Sequence, residues 1–486
     1  MSLSYSIRLY QSLPKSRQNA LCLRYHPRCS QPTILPHLPQ QQKQPTHRPH
    51  KIPPDNQSNQ DKTEKNHLTQ LQSRAIPNQR VRAVFGVDNA FTSHDENHVR
   101  QFVAKARELI NLDQGDWYAL AEMARMGVRG SIERAVQASS ASSRKAHTRI
   151  SLVNLIQTVT LRVIIRVLFT MKDEEVLNLQ DEHLLNLANA INDTWISSKT
   201  TTTTTTSPTP TPTSTPQFKD NHHLKESLTT IFPNTDLTEE NPLNLLLPGF
   251  ETMWRVILRA FLETGYTPAG TGHPEWRGIL VAFARRPTRE QFPLLHNDDS
   301  RGGGGVSVEM LVNEALRLYP PTRRVYRAFQ FAEYEPEPEP GSSPSSSCRS
   351  RSGSGSKSNT IASADIETTQ TAPSIWGPEA SIFNPRRWRC GLATTQERNA
   401  FLPFGSAPFV CPAQKVFGPR VVGLVLGVLF LEVGVGVEGS LGWVLGSDCD
   451  DDSGLEDLRT GGRLSNERDA YRELYLVRSG DVKKPE

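Results

Sequence analysis

The opening of this chain lacks any apolar run approaching the roughly 20 residues that a membrane-spanning helix needs, so no transmembrane anchor is expected there. The only Gly-rich apolar run, Val421–Leu431, is also too short to span and reads as a core helix. Cysteine is scarce: 6 in 486 residues, at positions 22, 29, 348, 390, 411 and 449, with neither paired metal spacing nor a disulfide framework. That usage fits a reducing, intracellular compartment. His and Asp are scattered without a zinc cluster or a catalytic triad. The net charge of +4 is too small and too dispersed to point to nucleic acid. Gly302–Gly305 is not followed by Gly-Lys-Ser/Thr, which excludes a phosphate-cradling loop. Residues 1–54 lack acidic side chains and carry several Arg and Ser, a faint likeness to a mitochondrial presequence.

Much of the length is too polar or too simple to enter a core. Residues 1–80, rich in Gln, Pro, His, Lys and Arg without hydrophobic periodicity, are expected to form a disordered arm. Low-complexity inserts are expected at about 198–217, 296–306 and 333–363, inside one domain spanning 81–486. Apolar residues at helical spacing predict helices over Val99–Leu112, Trp117–Ala138, Ser151–Phe169, Glu182–Ile196 and His222–Phe232. Strand signals are few and cluster near Arg324–Phe331 and Tyr475–Arg478. The fold class is therefore mainly α with a small β part.

Against this background one cysteine has a distinctive setting. Phe401–Ala413 reads FLPFGSAPFVCPA and leads into an apolar helical stretch. Pro412 suits the first position of a helix, which would put Cys411 at a helix N-terminus where free amides and the dipole favour a thiolate. Such a thiolate can be an axial ligand to haem iron; a buried free cysteine is the plainer alternative. Upstream, Glu314-Ala-Leu-Arg317 puts opposite charges three residues apart on one helix face, and the helix should end at Pro320-Pro321. Its flanks Leu311, Val312, Ala315, Leu316 and Leu318 are apolar, so the pair is expected to be buried, and one carboxylate can hold two guanidinium groups. Arg323, Arg324 and Arg327 follow, with Val325 and Phe329, in a strand-like segment that reads either as carboxylate-binding or as a solvated basic edge. The stretch Asn241–Leu262 is apolar nearly all round, as a helix through the centre of a domain should be, yet it carries Pro248, Glu251 and Thr252.

In this order the motifs resemble those of the cytochrome P-450 family of haem-thiolate monooxygenases, in a fungal-like and divergent form. The resemblance implies a single domain holding haem b (iron protoporphyrin IX) between the long central helix and the Cys-loop helix, with Cys411 on the iron. It also implies that Phe383-Asn-Pro-Arg-Arg387-Trp388 supplies a second arginine, making Glu314, Arg317 and Arg387 a structural triad. Phe404 opens the cofactor loop, Arg327 is implied to bind a propionate, and Arg100 is the candidate for the arginine of the absent W-x-x-x-R motif. Gly249-Phe-Glu251-Thr252 resembles the oxygen-activation motif, with Thr252 as its hydroxyl and Glu251 as its acid. The implied activity inserts one atom of dioxygen into a small apolar substrate. Electrons would come from an NADPH-dependent reductase docking on the Cys side, in the cytoplasm or at the endoplasmic reticulum.

Four positions depart from the family pattern. Ala407 stands where a glycine with positive φ is expected, a strain of about 1 kcal/mol for a residue with Cβ. Phe409 replaces a basic residue, Ala413 a glycine, and Pro248 a small residue. Pro248 should exaggerate the helix kink or delay the helix start. These departures keep two alternatives open: a degenerate haem-binding protein without turnover, and an isomerase or peroxide-using enzyme of the same fold.

Overall fold

The computed structural model describes residues 68–141, 148–200, 217–296, 305–330, 359–434, 443–447 and 453–478. The first helix, α1 (Gln70–Phe85), begins inside the stretch expected to form the arm; residues 1–67 lie outside the described part. Its start is set by Thr69 and Gln72, each side chain accepting from the other's backbone amide. Pro77 and a polar composition hide this helix from a periodicity reading. Helices α2 (Glu96–Leu109), α3 (Gln114–Ala141), α4 (Leu152–Leu168), α5 (Asp181–Thr200) and α6 (His222–Ile231) stand where apolar spacing predicts them, with ends shifted by a few residues. α4 is buried along almost its whole length.

The central segment runs unbroken from Leu243 to Gly265 in three parts. Leu243–Leu246 is α-helical, Leu247–Glu251 is a π turn, and α7 (Thr252–Gly265) continues it. Pro248 has no amide proton to give to the preceding turn. The helix absorbs this by widening for one turn rather than by starting late, and such π turns recur at functional sites. α8 (Glu275–Arg285) and α9 (Val308–Leu318) follow, and α10 (Phe417–Val433) packs across both. Gly427 permits that crossing, since a Cβ there would lie 2.2 Å from the Leu280 carbonyl oxygen.

The β part is small. β1 (Arg149–Ser151), β4 (Trp443–Ser447) and β5 (Leu474–Arg478) form an antiparallel sheet in the order β1-β5-β4. β2 (Arg324–Gln330) pairs antiparallel with β3 (Asn359–Asp365), Arg324 opposite Asp365 and Gln330 opposite Asn359. β3 occupies the end of the insert expected over 333–363, so that insert stops by Asn359; Thr360 and Ile361 are short-range strand formers masked by the Gly/Ser run before them. A bridge between His296 and Val306 closes the base of the 296–306 insert. Among the described residues no helix is long and apolar enough to cross a membrane.

Candidate functional site

The expected charge cluster is present and dry. Glu314 and Arg317 are both fully buried (0% exposed), and they share two hydrogen bonds, Nε to Oε2 at 2.9 Å and Nη2 to Oε1 at 2.7 Å. Arg387 reaches the same carboxylate through Nε at 3.3 Å, while the Trp388 indole (2.9 Å) and the Asn384 amide (3.0 Å) also donate to it. The 3₁₀ turn Pro385–Trp388 brings these donors to α9. One carboxylate thus answers five donors, and Arg317 directs its remaining Nη1 to the carbonyls of Gln370 and Ala380. Such saturation is what lets a buried ion pair persist.

From this cluster the contacts lead to the Cys loop. Gln370, a residue that motif reading passed over, donates to the Leu316 and Arg317 carbonyls at the end of α9 and accepts from the Leu402 amide at 2.7 Å. Trp388 packs on Phe401, ring centres 4.6 Å apart. The Phe404 carbonyl then accepts from the Cys411 amide at 2.9 Å, closing the loop.

Two local expectations for the loop are corrected. α10 starts at Phe417, and Pro412–Val416 form turns, so Cys411 is not at a helix N-terminus. Burial pushes its thiol above the usual range, and the Ala413 amide pulls weakly the other way. Ala407 does not take positive φ; Gly405 does, at 73°. The strain expected at Ala407 is absent because the turn is made two residues earlier. Cys411 is half-buried and free.

Arg327, on β2, has its guanidinium 5.2 Å from the ring centre of Phe409, two residues before the cysteine. Arg74 of α1 lies over the same ring at 4.0 Å. Arg74 is only 6% exposed, and burial, then the neighbouring Arg327 charge, hold its pKa down to about 10. Its Nε and Nη2 are buried with no hydrogen-bond partner. Arg100, by contrast, is an exposed residue of α2 paired with Glu96 one turn away. Arg74 is a second arginine beside the loop.

On the central segment Asn244, Leu245, Pro248, Gly249 and Thr252 are the partly exposed positions, and the rest of residues 243–265 is buried. Thr252 donates to the Pro248 carbonyl at 2.7 Å, which anchors the hydroxyl at the π turn. Glu251 is buried; its carboxylate pairs with Arg468 and accepts from the Trp254 indole. A free thiol, a partly exposed hydroxyl on the central helix, and orphaned buried guanidinium atoms against the Cys loop suit an iron porphyrin with carboxylate arms. A surface depression of about 440 Å³ beside the loop is lined by Arg107, Lys415 and Phe417 among others.

No family model matches the chain. Cytochrome P-450 734A4 of Oryza sativa subsp. japonica is 27% identical over 154 residues, 30% of this chain and 25% of that protein. Cytochrome P-450 52A9 of Candida maltosa is 29% identical over 185 residues, 36% of this chain and 32% of that one. Putative cytochrome P-450 CYP13A3 of Caenorhabditis elegans is 35% identical over 57 residues, 12% of this chain and 11% of its own length. The chain thus spans about a third or less of the length of these relatives. A six-coordinated cytochrome P-450 from Thermus thermophilus superposes with a TM-score of 0.44 at 14% identity, over 75% of this chain and 80% of that one. The sequence relatives agree with the ordered motifs that end at Cys411, and the chain is similar to the cytochrome P-450 family in a divergent form.

Proposed function

We propose that this protein is a haem-thiolate monooxygenase that carries iron protoporphyrin IX on Cys411 and inserts one atom of dioxygen into a small apolar substrate. The observation that carries this is the free, half-buried Cys411 on a loop tied through Gln370 and Trp388 to the buried Glu314 cluster. When bound, a thiolate-ligated haem supplies the electron push that favours O–O cleavage. Bound to iron, the Cys411 sulfur would be a thiolate, since a metal-bound thiol is deprotonated outright.

Each nearby group then has one task. Arg327 holds a carboxylate arm of the cofactor. Glu314, Arg317 and Arg387 keep the loop at a fixed height behind it and do no chemistry. Thr252 presents a partly exposed hydroxyl on the central helix, and its bond to Pro248 fixes the rotamer. Glu251 is the acidic neighbour of that hydroxyl, held in place by its ion pair with Arg468. Arg107 and Lys415, with Glu108 in the same depression, are cations on the Cys-loop side that a reductase fed by NADPH would meet. This reading puts the protein inside the cell, in the cytoplasm or at the endoplasmic-reticulum surface.

Phe409 and Pro248 favour the rival, a haem protein without turnover. Reconstitution with a reductase separates them: a panel of apolar substrates should yield product carrying ¹⁸O from ¹⁸O₂, with matching NADPH use. Haem binding with no NADPH consumption on any substrate would establish the rival. Product formed without oxygen would establish an isomerase or peroxide-using enzyme.

A further inference from the structure

Arg74 matches no part of the motifs discussed above, yet it is a buried cation in contact with the Cys loop. We propose that Arg74 is a cofactor-binding residue, holding a carboxylate arm of the porphyrin together with Arg327 and replacing the basic side chain that Phe409 displaced from the loop. This rests on the haem reading above.

Three observations carry it. Nε and Nη2 of Arg74 are buried and unpartnered, and among the described residues neither Arg74 nor Arg327 is in an ion pair. Stripping a guanidinium of water costs several times what a contact with one aromatic face returns, so the arrangement is incomplete without an anion. Both guanidinium groups lie over one ring, Phe409, at 4.0 and 5.2 Å from its centre. Two like charges sharing one apolar shelf repel each other, and a carboxylate between them turns that repulsion into two attractions. Lastly, the side chain is held in register rather than draped there. Ser73 donates to the Ala328 carbonyl at 2.8 Å, which locks the Ser73-Arg74 step of α1 to the Arg327-Ala328 step of β2. Phe409 thus keeps the position apolar on the loop while α1 returns the missing charge from a distant part of the sequence.

The test is the rate of haem transfer from the reconstituted full-length chain to apomyoglobin. Arg74→Met, apolar and of similar length, should lose haem about ten-fold or more faster than wild type, the worth of a hydrogen bond to a charged group. With haem whose two propionates are esterified, wild type and Arg74→Met should lose it at the same rate. Arg74→Lys, which keeps the charge but not the fork, should fall between. In the cofactor-free chain Arg74→Met should unfold at equal or higher urea than wild type, because it removes an unpaired buried charge. Equal haem retention in wild type and Arg74→Met, or an equal loss of haem and its diester, overturns the proposal and leaves the haem reading standing. A wild-type chain that takes up no haem overturns both.

Discussion

Removing Glu314 is the sharpest structural perturbation available. Glu314→Ala deletes the acceptor of five hydrogen bonds and leaves Arg317, fully buried, with backbone carbonyls as its remaining partners. Arg387, at 16% exposure, loses its ion-pair partner as well. Both charges are shielded from water, so no discount for solvent screening applies, and breaking such a pair costs about 3–5 kcal/mol. Total stabilities run about 5–15 kcal/mol, so this single change removes roughly a fifth or more of the total. Urea unfolding followed by far-ultraviolet circular dichroism should show a midpoint lowered by roughly 1 M or more. The haem content of expressed protein should fall with it, since the cluster sets the height of the Cys loop through Leu402 and Phe401. The cost comes from stranding a charge, so Glu314→Leu combined with Arg317→Met should be less destabilising than the two single changes summed, by about 1 kcal/mol or more. A Glu314→Ala midpoint equal to wild type, or a double-mutant cycle without coupling, would refute the burial argument.

Two further outcomes follow from the central helix. Thr252→Ala should leave the haem spectrum and helix content unchanged while the yield of product per NADPH falls several-fold and peroxide rises; unchanged coupling would assign the proton relay to another group. Glu263, buried on α7 beside Tyr319 and Thr267, has a pKa raised to about 7, chiefly by burial. The folded state then holds this proton where the unfolded state has lost it, so stability falls as pH rises from about 4.5 to about 7 and levels off above. Glu263→Gln should flatten that decline in melting temperature, and an unaltered slope would show that other groups set it.

How far the sequence is legible depends on how local each feature is. The Glu314–Arg317 pair could be read because its helix carries its own burial signal, in Leu311, Val312, Ala315, Leu316 and Leu318, all of them buried. Arg387 followed from family order, and the structure brings it to the same carboxylate. Local chemistry was misleading where tertiary packing decides. Pro412 is a good first helical residue, yet the chain needs turns from Pro412 to Val416 before Phe417 can seat α10 against the core. Positive φ falls on Gly405, leaving Ala407 unstrained. Arg74 was illegible for a different reason. Its helix is polar and interrupted by Pro77, and its role exists only once α1 docks on β2. Gln370 likewise has no motif, and its bridging of α9 to Leu402 appears only in three dimensions.

The central claim is that Cys411 is the iron ligand, and the absorption spectrum of the purified, reduced, carbon monoxide-treated protein tests it most directly. Wild type should show the red-shifted band that thiolate ligation gives, and Cys411→Ser should fold, retain its helix content and lack that band. Persistence of the band in Cys411→Ser, or its absence from haem-loaded wild type, would contradict the assignment.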